Sequence, residues 1–299
     1  MISVMTEHLL NQYCQTKIKL IDTALAQYIP GDAYPPIIYE AMRYSLFAGG
    51  KRLRPIMLIA AADAVGGNGA AYLPVACGLE MIHTYSLVHD DLPAMDNDDY
   101  RRGKLTSHKV YGDGMAILTG DGLLTAAFST MLSQTAVDPA VLVKVVREIA
   151  LAAGAAGMVG GQAVDLASEG QKIDDQTLKF MHQAKTGALF KAALRAGAML
   201  AGGDRQQVDA LTDYAEQFGL AFQITDDILD VVGSPDKIGK PVGSDVRNDK
   251  VTYVTLHSLV GAKQLAQIAV DNALASLKGF SVEAGILREL VMYLISREA

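Results

Sequence analysis

Apolar residues recur at helical spacing along nearly the whole chain. Ile18, Ile21, Leu25 and Ile29 share one face of a helix predicted from about Thr6 to Ile29, which Pro30-Gly31 ends. Pro35-Pro36 opens a second helix that stops near Gly49-Gly50. Pro55, a residue that fits the first helical turn, begins a third that runs to Gly66-Gly67. A fourth, from about Ala70, carries Glu80, His83 and Tyr85 toward a run of aspartates. Further helices are predicted over residues 115–135, 139–153, 174–201 and 205–232, with two or three more from about Val251. The glycines among residues 154–161 point to close helix packing or a bend, and residues 233–249 read as a loop. No period-two alternation lasts long enough to support a sheet, and no low-complexity linker divides the chain. The expectation is an all-α protein, one domain over residues 1–299, whose helices surround a central apolar cavity with ligands projecting inward.

Composition narrows the possibilities. Half of the 299 residues are hydrophobic, and 26 Lys+Arg against 33 Asp+Glu leave a net charge of −7. That balance argues against general nucleic-acid binding. Cys14 and Cys77 are too few for a disulfide framework or a zinc site, which suits a reducing, cytoplasmic setting. No uninterrupted apolar segment reaches about 18 residues, so no membrane span is expected.

Two aspartate clusters stand out against this apolar background. The first, from His89 to Gly103, holds Asp90, Asp91, Asp96, Asp98 and Asp99 beside Arg101 and Arg102. The second places Asp226, Asp227 and Asp230 inside an apolar segment, with Asp226 and Asp230 on one helix face. Carboxylate pairs on apolar helices need a counter-charge. A hard divalent cation supplies it most simply, since Mg2+ takes oxygen ligands and is held by one or two carboxylates together with substrate phosphates. Arginine forks suit the phosphates themselves. An apolar cavity with such clusters at its mouth suits a substrate with an anionic head, a diphosphate, and a hydrocarbon tail.

This combination resembles the trans-isoprenyl diphosphate synthases, and among them the bacterial farnesyl diphosphate synthases. The resemblance covers nearly the whole chain. It rests on Gly49-Gly50-Lys51-Arg52-Leu53-Arg54-Pro55, on Asp90, Asp91 and Asp96 followed by Arg101-Arg102-Gly103, on Lys185-Thr186, on Phe222-Gln223 with Asp226, Asp227 and Asp230, and on Gly239-Lys240 and Lys250. It implies an isoprenoid-synthase-type helical bundle. It also implies that Asp90 and Asp96 bind two Mg2+ ions and Asp226 a third, with Asp91, Asp227 and Asp230 supporting them directly or through water. Arg101, Lys185, Thr186, Gln223, Lys240 and Lys250 would contact the allylic diphosphate or its surroundings. Lys51, Arg54, His83 and Arg102 match the positions that hold isopentenyl diphosphate. Gly160, Gly161, Gln162 and Asp165 match a recurrent family segment, read here as packing and site support. A homodimer is implied as well.

Chain length is the finer question. Tyr85 lies five residues before Asp90, about 7 to 8 Å along one helix. A bulky aromatic there floors the tail pocket in this family, and with Ser86 small beside it the pattern resembles enzymes that stop at fifteen carbons. A geranylgeranyl diphosphate synthase is the nearest alternative, and a non-catalytic regulatory subunit of a related synthase a more distant one. A terpene cyclase fits less well, because the second cluster repeats aspartates. A calcium loop fails for want of a glycine at its sixth position, where Arg101 stands. Val254 departs from the proline that relatives often carry after Lys250-x-Thr252-Tyr253.

Overall fold

The computed structural model describes residues 2–232 and 251–296, with side chains from residue 8 onward. Its backbone is helical almost throughout. In chain order come α1 (Ile2–Tyr28), α2 (Pro36–Leu46), α3 (Leu53–Ala64), a 3-10 turn (Gly69–Tyr72), α4 (Leu73–Asp90), a ribbon of β1 (Tyr100–Arg101) and β2 (Lys104–Leu105), α5 (Ser107–Tyr111), α6 (Asp113–Leu132) and α7 (Pro139–Ala153). Then follow α8 (Met158–Ser168), α9 (Asp175–His182), a π-helical turn (Gln183–Gly187), α10 (Ala188–Leu200), α11 (Arg205–Val232), α12 (Tyr253–Ser276) and α13 (Gly285–Ser296). The all-α expectation holds, and three local features depart from it. A two-stranded ribbon sits after the first aspartate cluster, its strands too short to show any period. The glycine-rich stretch makes the expected bend over residues 154–157 and then enters α8, a helix not predicted. The helix expected over residues 174–201 is broken at Lys185-Thr186 by the π turn.

The chain forms two compact units, Met1–Ile59 with Asn68–Val146, and Ala60–Gly67 with Arg147–Ala299. In the first, α4 packs along α6. Glycine makes this closeness possible from both sides. A Cβ on Gly78 of α4 would lie 2.5 Å from Met131 of α6, and one on Gly120 of α6 would lie 2.0 Å from the His89 imidazole. His89 Nε2 donates to Ile117 O at 3.0 Å across the same seam. Fully buried Ile21, Leu25, Ile29, Leu46, Ile56 to Ile59, Val75 and Leu79 supply the core of this unit. Each such side chain contributes roughly 1.5–3 kcal/mol on leaving water.

In the second unit α11 packs along α12. Leu178, Met181, Ile224, Ile228, Tyr253, Ala262 and Ala266 form one apolar cluster there. Phe190, Phe218 and Phe222 form a second, with ring centroids 5.2 to 6.3 Å apart. Tyr214 is buried and donates its hydroxyl to Leu287 O at 2.7 Å, which ties α11 to α13. By length and composition α6 could cross a membrane. Asp121 at its centre and the inner face that it packs against α4 describe a helix of a packed unit instead.

Candidate active site

The first aspartate cluster begins where α4 ends. Asp90 closes the helix and Asp91 caps it. The chain then turns back on itself: the Asp96 N–H donates to Asp90 O at 2.9 Å, and the Asn97 N–H to Leu92 O at 3.1 Å. Leu92 anchors this turn in a small apolar cluster with Val88 and Ala116, against which Met95 packs. Asp90 is half-buried and Asp96 exposed, so the turn presents both carboxylates where an ion or its waters can reach them.

Asp91 faces the other way. Its buried carboxylate accepts from Arg101 Nε at 2.7 and 3.0 Å, and Arg101 Nη2 lies 2.6 Å from it. Burial pushes Asp91 above the usual carboxylate range, and Arg101 pulls it back. Asp91 thus holds the ribbon against the end of α4, and the guanidinium predicted to meet a diphosphate makes that ion pair here. Tyr44 of α2 donates to Leu105 O at 2.7 Å and fixes the ribbon's other strand.

The basic turn between α2 and α3 stands near this cluster. Gly49 and Gly50 have φ of 98° and 128°, a conformation open to glycine, and Arg52 has φ of 47°. Arg102 donates to Gly49 O and lies against Gly50, where a Cβ would be 2.5 Å from its Nη1. Lys51 is exposed, and Arg54 stands in the first turn of α3. Burial lowers the Arg54 pKa to about 10 despite Glu80, and burial also lowers Arg102. Desolvation, then Arg54, Arg102, Arg101 and Arg52, hold His83 well below the ordinary imidazole range, so it is neutral at pH 7. Cations held close together and poorly hydrated are stabilised by an anion among them. Ser86 donates to His83 O at 2.9 Å, and Tyr85 is 6% exposed, its ring edge-on to His89 at 5.7 Å.

The second aspartate cluster lies on α11. Asp227 is buried and accepts from Gln223 Nε2 at 2.9 Å and from the Tyr253 N–H at 2.8 Å. It fastens the start of α12 to α11, while Asp226 is exposed and Asp230 half-buried on the same helix. Lys185 reaches Asp165 of α8 at 2.5 Å, and Thr186 donates to Gln223 Oε1 at 3.4 Å. The π turn thus carries Lys185 to α8 and Thr186 to α11, and such insertions are frequent at functional sites. Gly161 is what lets α8 come so near: a Cβ there would lie 2.2 Å from Lys185 N. Asp165, Lys185, Thr186, Gln223, Asp227 and Thr252 line a single pocket.

Sequence reasoning therefore finds residues that the fold brings together within each cluster. It missed Arg52, whose burial had no local signal, and the anchoring hydrogen bond of Asp227 to the Tyr253 backbone. Lys240 and Lys250 lie outside the described residues. Among the described residues no three His, Cys, Asp or Glu side chains converge as a metal cage. A magnesium site does not need one, because Mg2+ keeps several waters and takes phosphate oxygens. Asp90 and Asp96 in the first unit, and Asp226 and Asp230 in the second, are hard oxygen donors suited to that mode.

A protein-family model described as polyprenyl synthetase matches residues 35–284. The chain is 46% identical over 289 residues to a farnesyl diphosphate synthase of Geobacillus stearothermophilus, across 96% of this chain and 97% of that one. It is 43% identical over 287 residues to a geranylgeranyl diphosphate synthase of Cyanophora paradoxa, across 95% of each. The crystal structure of geranylgeranyl pyrophosphate synthetase from Pyrococcus horikoshii matches with a TM-score of 0.90 at 32% identity, over 98% of this chain and 99% of that one.

Proposed function

Because the chain belongs to the polyprenyl synthetase family, we propose that it joins isopentenyl diphosphate head to tail to dimethylallyl and then geranyl diphosphate, giving farnesyl diphosphate. Prenyl transfer is the family's chemistry, and the fifteen-carbon stop is the finer part of this reading. What supports the reading is the basic cluster in which Arg102 is held against Gly49 and Gly50, Arg54 stands in the first turn of α3 and Lys51 is exposed, in the same unit as the first aspartate pair.

Lys51, Arg54, His83 and Arg102 bind isopentenyl diphosphate. A neutral imidazole adds a hydrogen bond there without adding to the repulsion among the cations. Lys185, Thr186 and Gln223, with Lys240 and Lys250, orient the allylic diphosphate, and Arg101 acts through Asp91 to keep the aspartate turn in place. Asp90 and Asp96, and Asp226, with Asp91 and Asp230 in support, would hold Mg2+ ions, three in the family's pattern, which would supply positive charge to the diphosphate oxygens. The allylic C–O bond breaks, the isopentenyl double bond adds to the resulting cation, and a proton passes to the departing diphosphate. Apolar walls keep water from the cation.

Tyr85 sets the length: buried on α4 and braced by His89, it floors the tail pocket. The Cyanophora paradoxa relative, a geranylgeranyl diphosphate synthase, keeps a twenty-carbon product as the second reading. The chain acts as a single polyprenyl synthetase domain in the cytoplasm. It forms a homodimer, for which the outer side of α6, with Ile117, Leu118 and Leu132 about half exposed beside exposed Asp121, is the candidate face. The test is incubation with Mg2+, isopentenyl diphosphate and each allylic starter, with products measured by mass spectrometry. A fifteen-carbon product that lengthens by at least one five-carbon unit in Tyr85→Ala supports the full reading. A twenty-carbon product from the unaltered chain removes Tyr85 as the stop, and absence of condensation removes the enzyme reading.

A further inference from the structure

Arg52 stands at the centre of the basic turn yet takes no part in the reading above. Its side chain is 1% exposed. Nε donates to Asp22 of α1 at 2.8 Å, Nη1 to Glu80 of α4 at 2.9 Å, and Nη2 to Leu46 O at the end of α2 at 2.7 Å. One side chain thus binds three helices. Its φ of 47° is uncommon for a residue with a Cβ and persists where surrounding contacts fix it. The next residue, Leu53, opens α3, and Arg54 falls in that helix's first turn. On the other side of the same turn, Arg102 holds Gly49 O.

We propose that Arg52 is the positioning residue of the anion cradle: its three-way anchor sets the turn so that Lys51 and Arg54 are presented to the diphosphate of isopentenyl diphosphate. The inference rests on the reading of Lys51 and Arg54 as diphosphate ligands. A guanidinium has donors fanned in a plane and can meet two carboxylates and a carbonyl at once, whereas a lysine presents one compact charge on a flexible stem. Lysine at position 52 keeps the charge and loses the shape, so the turn is no longer fixed from the core side. Were Arg52 only a core ion pair, its loss would lower thermal stability and leave substrate affinities in their original ratio.

Steady-state kinetics of the full chain with Mg2+ test this, varying isopentenyl diphosphate at saturating geranyl diphosphate and the reverse, alongside melting temperatures. Arg52→Lys is expected to raise KM for isopentenyl diphosphate roughly tenfold, with KM for geranyl diphosphate and kcat within about threefold of the unaltered chain. Asp22→Ala removes one arm of the anchor at a side chain 38% exposed, where truncation is tolerated, and is expected to raise the same KM about threefold. If Arg52→Lys does not fold, Asp22→Ala alone decides. An unchanged KM for isopentenyl diphosphate, or an equal rise for both substrates, overturns the proposal. Lys51→Ala separates the two levels of the argument. If it too leaves KM for isopentenyl diphosphate unchanged, the diphosphate reading fails and the positioning role with it. If it raises that KM and the Arg52 and Asp22 variants do not, only the positioning role fails.

Discussion

Asp90 and Asp91 are chemical twins one position apart, and the structure gives them opposite work. Asp91 is 5% exposed and joined to Arg101, while Asp90 is half-buried at the end of α4. Removing one partner of a buried ion pair leaves a charge uncompensated, which costs about 3 kcal/mol or more. Asp91→Asn is therefore expected to lower the melting temperature distinctly, read by calorimetry. Asp90→Ala is expected to melt near the unaltered chain while losing about a hundredfold or more in turnover, read by diphosphate release. His83 gives a prediction in pH. Its folded pKa lies well below the 6.5 of a free imidazole, so the unfolded chain binds the extra proton as pH falls through 6.5. Its contribution to stability is fully present above that pH and declines below it. Melting temperatures recorded from pH 8 to pH 5 are expected to fall below pH 6.5, and His83→Gln to flatten part of that fall.

At the scale of elements, short irregularities set the functional side chains. The π turn at Gln183–Gly187 falls on Lys185 and Thr186, and α8 approaches it only because position 161 lacks a side chain. Gly161→Ala puts a methyl 2.2 Å from a backbone nitrogen that cannot rotate away. Overpacking of this kind costs about 1–3 kcal/mol. It is expected to lower the melting temperature and to raise KM for the allylic substrate more than that for isopentenyl diphosphate, since Lys185 moves with its backbone. The glycines of that stretch pointed to close packing, yet not to a helix, because glycine disfavours helix locally and only the neighbouring chain repays it. The two-residue strands of the ribbon were invisible for a different reason: a period cannot be read from two residues.

At the scale of the whole molecule, α6 carries a prediction about assembly. Its inner face packs on α4, and Ile117, Leu118 and Leu132 lie on its outer side at 46%, 54% and 56% exposure. In the proposed dimer a second carboxylate beside Asp121 would have to be buried, so Leu118→Asp is expected to shift that dimer toward monomer in sedimentation equilibrium. An unaltered chain that sediments as a monomer removes the dimer. The all-α class, the order of the helices and the two aspartate motifs follow from the sequence by itself, because helical periodicity and breakers are written in residues a few positions apart. Which aspartate of each pair binds a distant group does not. Arg52 meets Asp22 and Glu80 at separations of 30 and 28 residues, and Asp227 meets Tyr253 at 26. Local pattern places a charge on a helix face, and only tertiary packing decides what stands opposite it. For that reason the resemblance could set Asp91 and Asp227 only in support of Asp90 and Asp226, and the fold shows what each holds, Arg101 in one case and the Tyr253 backbone in the other.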